Sequence, residues 1–191
     1  MTLWAPQKGW AADILVIGDS LSAAYGIEEE DGWVNLLRER TGLSVRNAAI
    51  TGDTTLGGRS RIDQLLAEEQ PKLVMIELGG NDGLRGLSLK QMAENLSDMI
   101  EKTEATGAEA MLIGITLPPN YGAAFIRRFE KTFARLAEEY DTHFTPNLAA
   151  GLEKRLEWIQ NDGIHPNELA QPLMLDNVLA HAPDWVKNAG Q

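Results

Sequence analysis

The sequence predicts an α/β domain with a parallel sheet covered by helices on both faces, and three observations carry that reading. Short apolar, β-branched runs recur along the chain. Segments between them repeat apolar residues at helical spacing. Polar, glycine-rich clusters follow directly on several of the runs. Strands alternating with helices imply a parallel sheet wrapped on both faces. A length of 191 residues, 43% hydrophobic, suits one compact domain. That domain is assigned to residues 13–191, behind an N-terminal extension of residues 1–12.

Ile14-Leu15-Val16-Ile17, ended by Gly18, reads as a strand buried on both faces, as parallel sheets require. Further strands are predicted over residues 44–50, 72–78 (KLVMIEL) and 110–115, with a weak fifth over 142–145. The first helix sets Trp33, Val34, Leu36 and Leu37 on one face and stops at Gly42. Residues 55–69 carry Ile62, Leu65 and Leu66 and end before Pro71. Ser88, with Gln91 three residues on, forms a capping box that opens the next helix. Its Leu89, Met92, Leu96, Met99 and Ile100 repeat at helical spacing until Gly107 closes it. Phe125, Phe129, Phe133, Leu136 and Tyr140 stripe a fourth helix, and residues 167–180 form the last. The Met and Phe stripes are expected to be core packing.

Composition narrows the function classes. The formal net charge is −11, from 28 acidic and 17 basic residues. A polyanion is repelled by that average field, so no nucleic-acid partner is expected. The chain has no cysteine, which removes disulfides, cysteine–zinc sites and thiol catalysis. No apolar run reaches the ~18 residues of a transmembrane helix, so stable membrane insertion is not expected. Residues 1–12 lack an apolar h-region and do not read as a signal peptide, although Ala11-Ala12-Asp13 has the small-residue character of a cleavage site.

In open α/β sheets, ligands bind at the carboxyl ends of the strands. Gly18-Asp19-Ser20-Leu21-Ser22 follows the first strand, Thr51-Gly52-Asp53-Thr54 the second, and Gly79-Gly80-Asn81-Asp82 the third. Asp162-Gly163-Ile164-His165-Pro166 lies near the C-terminus. Ser20 alone reads as a helix N-cap. A complete set of partners changes that reading. His165 has the side chain suited to act as a base near neutrality, and Asp162 can fix its tautomer if the chain turns through Gly163. Pro166 holds His165 extended and is placed to open the last helix at its first position. The backbone N–H groups of Ser20 and Gly52 and the amide of Asn81 are the available donors for an oxyanion.

These blocks (GDSLS at Ser20, GDT at Gly52, GGND at Asn81, DGIHP at Asp162 to His165) resemble those of the SGNH, or GDSL-type, hydrolases in order, spacing and strand placement. The resemblance runs from about residue 14 to about residue 179. ELGGNDGLRG at residues 77–86, LPPNYG at 117–122 and DGIHPNELAQP at 162–172 are most similar to the bacterial multifunctional thioesterase, protease and lysophospholipase subgroup and its arylesterase relatives. It implies a flavodoxin-like three-layer α/β/α sandwich with a five-stranded parallel sheet. It also implies Ser20, Asp162 and His165 as the triad, Ser20, Gly52 and Asn81 as the oxyanion hole, no cofactor, and a small acyl ester or thioester as substrate. Members of this subgroup are usually exported, which implies a periplasmic or secreted enzyme, with the cytoplasm as the alternative for a chain without an h-region.

The neighbouring residues admit plainer roles. Asp19, Asp53 and Asp82 could suggest a metal rim, but histidine ligands are missing, and hydrogen bonds within tight loops are the expectation. His143 is expected to end the fifth strand and His181 to sit at a helix C-terminus. Leu21, Leu84, Leu87, Leu117, Pro118, Tyr121 and Ile164 are read as an acyl-binding groove or, equally, as loop packing. Dinucleotide, Walker A and G-x-S-x-G motifs are absent. A non-catalytic receiver-like domain would need an acceptor Asp where the third strand ends in Leu78-Gly79-Gly80.

Overall fold

A computed structural model describes residues 12–190. The expected extension lies outside the described residues except for Ala12, which is buried. Five strands form one sheet: β1 (Ile14–Gly18), β2 (Val45–Asn47), β3 (Leu73–Glu77), β4 (Glu109–Ile113) and β5 (His143–Thr145). Their order is β2-β1-β3-β4-β5 and every pair is parallel. Helices α1 (Trp33–Thr41), α2 (Thr55–Glu69), α3 (Gly80–Leu84), α4 (Leu89–Ala105), α5 (Ala123–Tyr140), α6 (Gln171–His181) and α7 (Asp184–Lys187) connect and flank them. This is the flavodoxin-like three-layer sandwich.

The alternation of side chains along each strand divides the core into two layers. Leu15 and Ile17 of β1, with Val74 and Ile76 of β3, pack against Ile62 of α2, Met92, Leu96 and Met99 of α4, and Phe129 and Phe133 of α5. Ile14, Val16, Leu73 and Met75 face the other way, onto Trp33 and Leu37 of α1 and Met174, Leu175 and Val178 of α6. Because both faces are covered, the central strands are apolar at successive positions. The Met and Phe stripes therefore are core, with Phe125 and Tyr140 half-buried at its margin.

Several boundaries differ from the sequence reading. The second strand pairs over only three residues, because it is an edge strand and Asn47 turns away to bind Ser22 O through Nδ2 at 2.8 Å. The GGND segment, read as loop, winds into α3 and puts Asn81 in its first turn. His143 begins β5 instead of ending it. The last long helix starts at Gln171, after a 3-10 turn at Glu168–Ala170, and α7 follows it. Pro166 does not open that helix. It forms an antiparallel bridge with Ile159, and Pro172 occupies the first turn instead.

Candidate active site

The sheet order places β1 beside both β2 and β3, so the chain's direction of winding reverses there. Such a switch point opens a crevice at the strands' carboxyl ends. Ser20 leaves the end of β1 and Asn81 the end of β3, on the two sides of that crevice. Gly52 arrives from the edge strand. Its φ of +79° lies in the left-handed region, where a side chain is strained, so glycine fits this turn.

Asp162 and His165 come from the hairpin-like loop closed by the Ile159–Pro166 bridge. The backbone N–H of Gln160 donates to His165 O at 2.8 Å and that of Asn167 to Trp158 O at 2.8 Å. Gly163, at φ +72°, turns the chain so that the Asp162 carboxylate faces back. Its Oδ1 accepts the backbone N–H groups of Ile164 at 2.9 Å and His165 at 3.0 Å. Its Oδ2 lies 2.6 Å from His165 Nδ1. The Nε2 of His165 lies 2.9 Å from Ser20 Oγ. A carboxylate accepts only, so Nδ1 carries the proton and Nε2 is free to accept from the serine hydroxyl. The N–H bonds from the His165 backbone, followed by those from its ring and from Ile164, hold the Asp162 carboxyl down at about 2.

Asp162 and its neighbours contrast with a second acidic pair. Asp19 is buried, and Glu77, at the end of β3, is fully enclosed. Glu77 Oε2 accepts the Ser22 hydroxyl at 2.8 Å and the Asp19 backbone N–H at 3.3 Å. Asp19 accepts the Leu21 N–H at 3.1 Å and the Asn81 amide at 2.9 Å. Burial raises Asp19 to about 6. Burial first, and the nearby Asp19 charge second, push Glu77 well above the ordinary glutamate value. Ser20 is not a helix cap, since it lies in a turn where the Asp19 carboxylate accepts the N–H of Leu21.

The other carboxylates serve loops. Asp53 pairs with Arg61 at 2.8 Å, and Asp82 accepts the N–H and hydroxyl of Thr55 at 2.9 and 2.6 Å. His181 ends α6, as expected, and His143 Nε2 pairs with Glu109 at 3.1 Å, away from Ser20. Of the groove candidates, Ile164 and Leu87 are exposed and Pro118 is half-buried. Leu21 and Leu84 are half-buried against the two core layers. Leu117 is buried below Gly83, so it belongs to the floor of the loop rather than to an open wall. Tyr121 donates its hydroxyl to Leu84 O at 2.8 Å.

Three residues near the site escaped the sequence reading. The Tyr25 ring lies 4.5 Å from the His165 ring, centroid to centroid, and is tilted to it. Arg85 Nη2 donates to Gly52 O at 2.8 Å. Glu77 had a visible signal, since a carboxylate inside KLVMIEL has no solvent-facing side on a doubly covered strand.

A hydroxyl, an imidazole and a carboxylate hydrogen-bonded in series at the switch point of this sandwich define an ester hydrolase of the SGNH class. The model for the GDSL-like lipase/acylhydrolase family matches residues 16–171, and the chain belongs to that family. Among its relatives, the esterase TesA of Pseudomonas aeruginosa is 46% identical over 90% of this chain and 88% of its own length. The thioesterase 1/protease 1/lysophospholipase L1 of Escherichia coli strain K12 is 41% identical over 87% of this chain and 81% of its own. A crystal structure of TesA superposes with a TM-score of 0.86 at 46% identity, covering 88% of this chain and 96% of that one.

Proposed function

We propose that this hydrolase works through an acyl-enzyme on Ser20. The carrying observation is the series Ser20 Oγ, His165 and Asp162, with contacts of 2.9 and 2.6 Å, assembled from positions 145 residues apart in sequence. Ser20 Oγ attacks the acyl carbonyl carbon and passes its proton to His165 Nε2. The carbonyl oxygen becomes an oxyanion, met by the N–H groups of Ser20 and Gly52 and by Asn81 Nδ2. Those two backbone N–H groups have no acceptor among the described residues. The intermediate collapses, the C–O or C–S bond breaks, and the alcohol or thiol leaves with the proton from His165. Water then gives its proton to His165, attacks the acyl carbon, and releases the acid as Ser20 regains its proton.

Small acyl esters and thioesters are the proposed substrates, in keeping with the names of the relatives. The exposed apolar side chains of Tyr25, Ile50, Leu87 and Ile164 stand in the loops that carry the site and suit an acyl chain or aryl group. Ser20→Ala is expected to lower kcat by ~10⁴–10⁶ on a p-nitrophenyl ester. A variant with most of its activity intact, or a protein in which a fluorophosphonate fails to label Ser20, ends this reading. The proposed location is the periplasm or cell exterior, by resemblance to exported enzymes, and cell fractionation tests it. Among the described residues no helix is long and apolar enough to cross a membrane.

A further inference from the structure

The side-chain amide of Asn81 lies between two opposite charges. Its Nδ2 donates to Asp19 Oδ2 at 2.9 Å. Its Oδ1 accepts from Arg85 Nη2 at 3.4 Å. The same Nη2 donates to the carbonyl of Gly52 at 2.8 Å. A carboxylate can only accept and a guanidinium can only donate. These partners therefore admit one orientation of the amide. A flip would set amide oxygen against carboxylate oxygen, and NH₂ against guanidinium. In the admitted orientation one Nδ2 hydrogen is engaged by Asp19, and the other has no partner among the described residues.

Building on the oxyanion reading above, we propose that Asp19 and Arg85 are positioning residues that grip Asn81 and Gly52 from two sides and hold the oxyanion donors in place before substrate arrives. The Asp19 end is buried and rigid, because Asp19 also accepts the Leu21 N–H and its own N–H is held by Glu77. The Arg85 end is exposed and bridges the turn after β2 to the helix after β3. Neither side chain acts on the substrate itself. Donors fixed in advance cost no reorganisation as charge develops, and a misplacement of about 1 Å can lower the rate by ~10²-fold.

The test is a kinetic double-mutant cycle at mildly alkaline pH, with thermal melts to confirm folding. Asp19→Asn is informative because both oxygens of Asp19 accept N–H donors, so an amide there must turn its NH₂ against one of them. Asp19→Asn is expected to lower kcat ~10–100-fold with KM within ~3-fold. Arg85→Gln, at an exposed position, is expected to lower kcat ~3–10-fold, and Arg85→Lys to recover part of that loss. In an Asn81→Ala background the cost of Asp19→Asn is expected to shrink below ~3-fold, because the group it positions is gone. An undiminished cost in that background, or a change in KM alone, overturns the proposal. Full activity of Asn81→Ala alone would remove the oxyanion reading itself, and the brace with it.

Discussion

Glu77→Gln tests how the protein tolerates a carboxyl group under its nucleophile loop. Glutamine keeps the shape and an oxygen to accept the Ser22 hydroxyl and the Asp19 N–H. It removes the titration. In the unfolded chain Glu77 ionises near its ordinary value of 4.5, whereas in the fold, desolvation and the Asp19 charge push it well above that. A carboxyl raised by folding favours the folded state fully below the unfolded value and loses that contribution as pH rises toward the folded value. Between those limits the folded state holds one extra proton, so stability falls by ~1.4 kcal/mol per pH unit from this residue alone. Raising the pH from about 5.5 to about 7 therefore weakens the wild type through this residue. Asp162, held at about 2, is ionised throughout this window and adds no slope. Asp19, raised to about 6, repels Glu77 and titrates with it, so the difference between wild type and variant reports the pair. Urea unfolding of both proteins at the two pH values measures the effect. The stability of Glu77→Gln relative to wild type is expected to improve from the lower to the higher pH. A difference that stays constant across the window would show that Glu77 is already ionised in the fold, and the neutral-carboxyl argument would be refuted.

Three further outcomes are expected. Asp162→Asn leaves a side chain that can present NH₂ to His165 Nδ1, which selects the wrong tautomer; kcat on a p-nitrophenyl ester is expected to fall ~10⁴-fold with the fold intact by circular dichroism. Gly52→Ala forces a Cβ onto a residue at φ +79° and places it 3.5 Å from the Arg85 guanidinium. It is expected to destabilise by ~1–2 kcal/mol and to lower kcat as well, read by melting and by steady-state kinetics. Phe133→Ala removes a ring 1% exposed and packed edge-on against Phe129 at 5.2 Å. A loss of ~3–5 kcal/mol in chemical unfolding is expected.

What the sequence revealed depended on how local each cause was. Ile14 to Ile17 read correctly as a doubly buried strand because the pattern needs only the residues themselves. The helix over residues 55–69 was legible to the residue, since Thr54 caps its start through Gly57 N–H and Gln70 and Pro71 end it. Asp162 and His165 were legible as partners because a three-residue spacing through a glycine closes on itself. Pro166 was misread because its role is set by Ile159, a bridge partner that no local pattern announces. Residues 44–50 were read as too long a strand because β2 is an edge, where pairing on one side is lost before the chain stops running alongside β1. The N–H groups of Ala48 and Ile50 still donate to Val16 O and Gly18 O at 2.8 and 3.0 Å. Tyr25, Arg85 and the coupling of Glu77 to Asp19 need the strand order itself, which brings β1 beside β3.

Three carboxyl groups lie around the nucleophile loop, and environment divides their work. Asp162 is partly exposed and accepts two backbone N–H groups and the imidazole, so its charged form is well solvated by both water and protein. On the proposed mechanism it supplies a negative charge where the imidazolium forms. Asp19 has two donors but little water, and Glu77 has two donors and none. Loss of water is the difference, and it moves them in the opposite direction. The consequence bears on the chemistry. An ionised Glu77 would set a further negative charge under the loop whose Ser20 N–H is proposed to meet the oxyanion. Burial disfavours that charge, and Glu77 anchors Ser22 and the Asp19 backbone. On the proposed mechanism, acceptors of one chemical kind thus hold the nucleophile loop, aim the oxyanion amide and orient the base, while burial, donated N–H bonds and the Asp19–Glu77 repulsion set how readily each carries charge.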